Sequence, residues 1–271
     1  MPAFRSSDRG RRPPRPKTRP DAAFGPLYGI HPVQEALRAR RRVLHRLRVR
    51  AGRRRPEIDA LCELASEAGV PVEEVEGDRP EASSLGTGTQ GVLLDAGRLP
   101  ELPLEQVALA GEGTHTLVAL DGVEDPQNLG AIVRVAEAAG VTGMILTRRR
   151  APPLSPAVAR ASAGAIEWLP VSRVPNLPRS LNQLKEMGFW VFGGEAGAPL
   201  DLYDLPDRLV AGHRVLVLGA EGRGLREGVQ RVIDHRVQIP MEGRVASLNV
   251  AAAAAVMLFE LGRRSRPDVS S

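Results

Sequence analysis

The chain has 271 residues, a formal net charge of +5 and a sequence pI of about 10.2, so it is long enough for two compact domains and its charge favours a polyanionic partner. Its single cysteine, Cys62, excludes an intramolecular disulfide and a cysteine-rich metal site. The longest apolar run, residues 250–259, is about half of a membrane span, so we expect a soluble, cytoplasmic protein with no membrane partner. The charge alone is weak evidence, because Lys17 and Lys185 are the only lysines and a GC-rich genome would favour arginine everywhere.

Residues 1–25 are rich in arginine and proline, as in RSSDRGRRPPRPKTRP. Such a segment buries little apolar surface, and its prolines oppose an amphipathic helix. We predict a disordered basic tail, which acts as an inert extension or as a loose tether to a polyanion. An organellar transit peptide is the alternative, although Asp8, Asp21 and the prolines fit that pattern poorly.

Short elements alternate over residues 26–97. The helical PVQEALRAR is followed by the strand-like RLRVR, a helix around residues 58–68, and then VPVEEVE and GVLLDAG. This alternation predicts a small α/β domain. Residues 98–115 have proline and glycine at both ends, and we interpret them as a linker.

Strands and helices alternate again over residues 116–265, from TLVALDG and a helix at residues 129–139 to an alanine-rich helix that ends at Leu261. This order predicts a mostly parallel sheet covered on both faces, with ligands outside the carboxyl ends of its strands. A dinucleotide site is excluded, because the turn after LVALDG lacks the pattern G-x-G-x-x-G. Residues 266–271 remain as a short tail.

Four polar residues follow predicted strands or begin predicted helices: Asn128, Glu221, Ser247 and Asn249. Glycines at positions 219, 222 and 224 permit a tight turn around Glu221 and a close approach of the backbone to a ligand. Ser247 or Asn249 can cap the alanine-rich helix and place its amide groups near a carboxylate or phosphate. Each feature alone is more often structural than functional.

Arg134 lies in the helix predicted at residues 129–139, on the same side as a glycine and two alanines. Small neighbours leave room for another surface to approach, and a partly buried guanidinium requires an anion. That anion could belong to a ligand, or Arg134 could form a structural ion pair with Asp121 or Glu124. The residues alone do not separate the two interpretations.

Three blocks occur in order along the chain: DPQNLGAIVRVAEAAG, LVLGAEGRGL and IPMEGRVASLNVAAAAAVMLFE. Together with the intervening SPAVARASAGAIEWLPV, they resemble the three motifs of the SpoU (TrmH) family of the SPOUT superfamily. The resemblance covers residues 116–263, and three ordered motifs make it specific. It implies an RNA ribose 2′-O-methyltransferase that uses S-adenosylmethionine as co-substrate and no metal.

The resemblance also implies a fold, in which the C-terminal segment is threaded through the sheet domain as a deep trefoil knot. In the family, the knot loops hold S-adenosylmethionine largely through backbone groups, and a side chain at position 219 would be expected to fill the space of the cofactor. The matching cofactor-binding residues are Leu218, Gly219, Ile239, Met241 and Leu248. The invariant polar residues of the family match an expected catalytic set of Asn128, Arg134, Glu221, Ser247 and Asn249.

Arg134 has a proposed role in the family, where the matching arginine activates the ribose hydroxyl. A guanidinium normally stays protonated, so general-base chemistry would be unusual for it. We therefore expect Arg134 to hold an RNA phosphate and to stabilise the developing alkoxide, with Asn128 and Glu221 orienting it. The proton would leave to water or to a phosphate oxygen.

The stretch YGIHPVQEAL at residues 28–37, with the later QGVLLDAG, resembles the L30e-like substrate-binding domain of large-subunit rRNA guanosine methyltransferases in this family. The resemblance therefore implies a guanosine of 23S rRNA as substrate, in free RNA or in an assembling ribosomal particle, and a homodimer formed through the knot region. A tRNA guanosine methyltransferase and an antibiotic-resistance rRNA methyltransferase remain alternatives. An inactive RNA-binding assembly factor is a further alternative, against which the complete polar set argues.

Overall fold

The computed structural model describes residues 25–52, 55–76 and 87–265. The tails predicted for residues 1–25 and 266–271 lie outside these ranges, except for Gly25. No helix within the three ranges is long and apolar enough to cross a membrane.

The first sheet is formed by residues 27–96. Its strands are β1 (Leu27–Tyr28), β2 (Leu44–Arg50), β3 (Val72–Val75) and β4 (Val92–Ala96), its helices are α1 (Ile30–Ala39) and α2 (Pro56–Glu67), and a 3-10 helix spans Thr87–Thr89. The strand order is β1-β4-β2-β3. Among the described strands of this sheet, β2 and β3 pair in parallel and the other pairs are antiparallel.

The second sheet has seven strands. They are β5 (Thr116–Asp121), β6 (Gly143–Thr147), β7 (Val171–Val174), β8 (Trp190–Gly194), β9 (Leu200–Asp201), β10 (Arg214–Gly219) and β11 (His235–Gln238). The helices are α3 (Leu104–Ala108), α4 (Pro126–Ala138), α5 (Pro156–Ala161), α6 (Leu177–Glu186), α7 (Asp207–Val210), α8 (Glu227–Gln230) and α9 (Val250–Arg264), with a 3-10 helix at Ala165–Glu167. Every pair is parallel in the order β7-β6-β5-β10-β8-β11-β9, which confirms the predicted parallel sheet.

Alternate residues of the central strands divide the core between the two faces of this sheet. In β5, Val118 and Leu120 join an apolar cluster that includes residues of α4 and α9, whereas Leu117 and Ala119 join a second cluster with α6. All six residues of β5 are buried, as expected for a strand covered on both faces. Helices α4 and α9 therefore lie together on one face, and α6 lies on the other.

The segment interpreted as a linker, residues 98–115, contains α3. Leu104, Val107 and Ala108 of this helix are buried and belong to the same cluster as Leu177 of α6. This helix therefore packs on the second sheet.

A buried ion pair joins the N-terminal part of the chain to the second sheet. Arg42 donates from Nε and Nη2 to the two carboxylate oxygens of Glu167 at 3.0 and 2.6 Å, and the two side chains are 4% and 0% exposed. Arg41 donates to the backbone oxygen of Glu167 at 3.2 Å, and Trp168 Nε1 donates to Glu35 Oε2 at 2.8 Å. These contacts hold α1 and the following turn against the 3-10 helix Ala165–Glu167.

Candidate active site

The carboxyl ends of β5 and β10 lie side by side, because Gly219 pairs with Asp121 in the sheet. β5 leads into α4, which begins at Pro126 and is capped by the side chain of Asp125. β10 leads into the glycine loop, residues 219–224. Ligands bind outside the carboxyl ends of parallel strands, so both loops lie at the edge where the sequence predicts the site.

Three of the predicted catalytic residues form one hydrogen-bonded cluster, the polar trio, which consists of Asn128, Glu221 and Asn249. Asn249 Nδ2 donates to Glu221 Oε1 and, at 3.1 Å, to Asn128 Oδ1. Asn128 Nδ2 donates to the same oxygen of Glu221 at 3.4 Å, as does Val250 N. One carboxylate oxygen thus accepts three hydrogen bonds at the positive end of the α9 dipole.

Asn249 is also the N-cap of α9. Its Oδ1 accepts from Ala251 N at 2.9 Å and from Ala252 N at 3.4 Å. Of the two candidates for this cap, Asn249 is therefore the one that forms it. Ser247 is exposed, and its side chain makes no hydrogen bond within the described ranges.

The glycine loop folds back on its own backbone. Gly224 N donates to Ala220 O at 2.9 Å, and Gly222 and Gly224 have φ angles of +74° and +63°, which strain a residue that carries a Cβ. A Cβ on Gly219 would lie 2.2 Å from the carbonyl carbon of Gly224. A side chain at position 219 would therefore collide with the loop itself, and its expected effect on the space of a cofactor stays a prediction.

The contact that anchors the end of the glycine loop was not predicted. Asp121 is buried at the end of β5 and accepts hydrogen bonds from Arg226 N at 2.9 Å and Arg226 Nε at 2.6 Å. The signal was present in the sequence as an acidic residue that ends an apolar strand. The sequence predicts Asp121 only as one of two possible partners of Arg134, and Arg226 lies 105 positions away from it.

Arg134 is exposed on α4 and makes no hydrogen bond or ion pair with any residue in the described part of the chain. The alternative of a structural ion pair is therefore wrong: Asp121 binds Arg226 instead. The expected partial burial of Arg134 and its orientation by Asn128 and Glu221 are not found in the single chain, where both of those side chains bind within the polar trio.

Gly130, one of the small neighbours of Arg134, serves helix packing. A Cβ there would lie 2.3 Å from the Cβ of Ala161, so α4 and α5 approach closely at this point. The close packing of α4 on α5 is therefore sufficient to explain why residue 130 is a glycine, and no ligand is needed. The guanidinium of Arg134, in contrast, is left available to an external anion.

A cavity of about 690 Å³ opens beside the polar trio. All five predicted cofactor-binding residues line it, namely Leu218, Gly219, Ile239, Met241 and Leu248, together with Glu221, Ser247 and Asn249. The end of β8 and the inner side of α9 also contribute to the lining, through Gly194, Glu195, Ala196, Ala253 and Met257. This second group was missed, because its position depends on strand order rather than on a local pattern.

Residues 115–259 match the SpoU rRNA methylase family. The chain is a member of this family. Residues 26–101 match a second family, the substrate-binding domain of RNA 2′-O ribose methyltransferases. The two matches confirm the resemblance carried by the sequence motifs, and the SpoU protein is an RNA 2′-O-methyltransferase.

Similar proteins cover most of the SpoU chain. The 23S rRNA (guanosine-2′-O-)-methyltransferase RlmB of Pseudomonas aeruginosa PAO1 is 38% identical over 89% of this chain and 97% of its own length. YacO of Bacillus subtilis strain 168, whose name leaves tRNA and rRNA open, is 35% identical over 89% of this chain and 96% of its own length. The crystal structure of an AdoMet-bound rRNA methyltransferase from Sinorhizobium meliloti has a TM-score of 0.73 at 27% identity and covers 90% of this chain and 88% of that chain.

Proposed function

We propose that this SpoU enzyme methylates the ribose 2′-oxygen of a guanosine in 23S rRNA, with S-adenosylmethionine as the methyl donor. The supporting observation is that the polar trio borders a cavity at the carboxyl edge of the sheet. The substrate is inferred from RlmB of P. aeruginosa, of which the chain covers 97%.

The lining of the cavity suits S-adenosylmethionine. Leu218, Ile239 and Leu248 offer apolar side chains to a flat base, and the glycine loop offers backbone groups that can bond the polar edges of the cofactor. Glycine at position 194 keeps the cavity open, since a Cβ there would lie 2.8 Å from both Leu218 Cδ2 and Met257 Sδ. The lining also carries charges of both signs, from Glu195, Glu221 and Arg223, which can meet the sulfonium and the carboxylate of the cofactor.

The cavity, the polar trio beside it and Arg134 of α4 have separate roles in methyl transfer. The bound cofactor supplies an electrophilic methyl group. The polar trio fixes the glycine loop and the start of α9 in one geometry, so the ribose oxygen meets a preorganised site. Arg134 holds an RNA phosphate and stabilises the alkoxide as it forms, while the proton leaves to water or to a phosphate oxygen. Ser247 lines the same cavity and is placed to contact either substrate.

We further propose a homodimer that uses the face formed by α4 and α9. Phe259 of α9 is 52% exposed, and Arg134 lies exposed on the adjacent α4. A second copy packed on this face would cover Phe259 and bring Arg134 closer to the partial burial expected from the sequence. Analytical ultracentrifugation of the wild type and of Phe259→Glu tests this arrangement.

The trefoil knot belongs to the same proposal. The chain could form this knot along the following path. β10 is inserted between β5 and β8, and residues 239–249 then return past the carboxyl edge of the sheet to α9. Residues 26–97 would act as the L30e-like domain that selects the RNA, residues 98–115 as its connection and residues 116–265 as the catalytic domain, all in the cytoplasm.

The match to a methyltransferase family leaves two alternatives for the substrate, and one comparison distinguishes them. Ribose methylations are mapped in 23S rRNA and in tRNA from cells with and without this protein. We expect one guanosine of 23S rRNA to lose its methyl group. Loss of a tRNA methylation instead would indicate a tRNA enzyme. Loss of a methylation at another rRNA site, together with loss of resistance to an antibiotic, would indicate a resistance enzyme. An unchanged map would contradict the proposed substrate.

A further inference from the structure

Three consecutive arginines follow β6 at the same edge of the sheet as the polar trio. Arg148, Arg149 and Arg150 are all exposed, and their guanidinium groups make no hydrogen bond or ion pair within the ranges that the structure describes. Three like charges placed together repel one another. This arginine turn, residues 148–150, therefore favours an external anion.

The arginine turn is held in one shape by its own backbone and by β7. Thr147 Oγ1 donates to Arg149 O, and Arg148 N donates to Val174 O at 2.9 Å. Arg150 adopts φ +63°, a left-handed conformation that is uncommon for a residue with a side chain. Strained backbone persists where the surroundings enforce it and is concentrated at functional sites.

Arg173 of β7 braces the same turn. Its guanidinium donates to Thr147 O at 3.3 Å and to Pro152 O, and it also binds Glu101 at 2.7 Å. Glu101 is the acidic side chain that lines the adjacent cavity of about 530 Å³, together with Arg98, Arg148 and Arg173. Because Glu101 already binds Arg173, it does not neutralise the arginine turn.

The sheet places the arginine turn close to the reacting edge. β10, β5 and β6 are consecutive neighbours in the sheet. Leu146 of β6 pairs with Leu120 of β5, and the next residue of β5, Asp121, pairs with Gly219 of β10. With about 4.8 Å between neighbouring strands, Thr147 lies about 10 Å from Gly219 across the edge. A single RNA backbone lying along this edge can therefore meet both loops.

We propose that the arginine turn binds phosphates of the substrate RNA that flank the target nucleotide. This inference rests on the proposed function and adds a second RNA contact to it. The planar fork of arginine matches two phosphate oxygens. An acidic protein surface is the competing class of partner, and protein-free RNA separates the two.

The test compares the double variant Arg148→Gln/Arg149→Gln with the wild type and with the control Arg208→Gln. Arg208 lies in α7, which precedes the amino end of β10, whereas the arginine turn lies at the carboxyl edge of the sheet. Arg208 is exposed and has no polar partner in the described part of the chain. Binding to a protein-free 23S rRNA fragment is measured between about 50 and 200 mM salt, a range in which phosphate contacts make the affinity strongly dependent on salt. Calorimetry with S-adenosylmethionine checks that the site is intact.

We expect the double variant to bind the RNA at least about tenfold more weakly, with a salt slope smaller by about 1.4 to 1.8. Its cofactor affinity and its rate at saturating RNA should equal those of the wild type, as should all values for Arg208→Gln. Unchanged RNA affinity and slope would overturn the inference, and so would a defect seen only with ribosomal particles, which would indicate an acidic protein partner. Failure of the wild type itself to methylate the RNA would instead count against the proposed function.

Discussion

Asn249 Nδ2 donates a 3.1 Å hydrogen bond to Asn128 Oδ1, across 121 positions of the sequence. The oxygen of the same Asn249 amide caps α9. One side chain therefore starts a helix with its oxygen and joins two distant loops with its nitrogen. The two roles can be separated by substitution.

Asn249→Ser keeps a capping oxygen but removes the amide donor, whereas Asn249→Ala removes both. We expect Asn249→Ala to lower the free energy of unfolding by about 1 kcal/mol and Asn249→Ser to lower it less. Methyl transfer should fall up to about a hundredfold in both, because the polar trio is broken in both. Urea unfolding and single-turnover kinetics measure the two effects, and full activity in the serine variant would show that the amide donor is unimportant.

Gly219→Ala should disrupt the glycine loop, because its Cβ would lie 2.2 Å from the backbone of Gly224. We expect the affinity for S-adenosylmethionine to fall at least about tenfold, because tenfold corresponds to about 1.4 kcal/mol and an overpacked side chain typically costs about 1 to 3 kcal/mol. Gly222→Ala is the matched control, since it is strained by its φ of +74° but meets no atom within 4 Å. If calorimetry finds equal affinities for the wild type and Gly219→Ala, the cofactor does not bind at this loop.

Arg134→Ala should separate catalysis from stability. The side chain is exposed and lacks a partner among the described residues, so the free energy of unfolding should change by less than about 0.5 kcal/mol. Methyl transfer should fall by about a hundredfold or more at unchanged cofactor affinity. Arg134→Lys should also be poor, because a point charge cannot reproduce a planar fork; a fully active lysine variant would refute the geometric requirement.

Glu167→Ala should leave the buried guanidinium of Arg42 without its carboxylate. We expect a loss of about 3 to 5 kcal/mol in the free energy of unfolding, and recovery of most of it in Arg42→Met/Glu167→Leu, which replaces both charges by apolar groups. Glu227→Ala is the control, because its partner Arg231 is 73% exposed and exposed pairs contribute little. Equal effects of Glu167→Ala and Glu227→Ala in urea unfolding would contradict this prediction.

His115 should make stability depend on pH. Burial lowers the pKa of its imidazole, with a smaller contribution from His213, on which it stacks at 4.9 Å between ring centroids. In the unfolded chain, the imidazole of His115 is protonated at about pH 6.5, whereas in the folded state it is still neutral at that pH. Stability should therefore fall as the pH drops below about 6.5, until the folded imidazole is itself protonated.

His115→Phe preserves a ring for the stack and removes this titration. Its urea unfolding between about pH 5 and 8 should show a flatter dependence than the wild type, with the two curves closest in slope at the alkaline end. Parallel curves over the whole range would exclude a contribution from His115.

The parallel sheet, the glycine turn and the cap of α9 could be predicted because each depends on neighbouring residues. The stretch EWLPVSRV shows the limit of such patterns. Its composition predicts a strand, and its last four residues, Val171–Val174, do form β7. Its first residue, Glu167, instead ends a 3-10 helix and binds Arg42, a residue far away in sequence. Asp121 was predicted only as a possible partner of Arg134, whereas its actual partner, Arg226, depends on the strand order. Pairings between distant segments leave no periodic signal in either segment.

The packing of α9 on α4 determines when the enzyme can first act. Synthesis proceeds from the N-terminus, so a growing chain completes α4 long before the final 15-residue helix emerges. Until then, Asn128 has no Asn249 to bind and one apolar side of α4 has no cover. A growing chain from which α9 has not yet emerged therefore carries neither the polar trio nor the complete cavity. Docking of α9 is therefore the step that completes the site on a scaffold whose sheet is already folded.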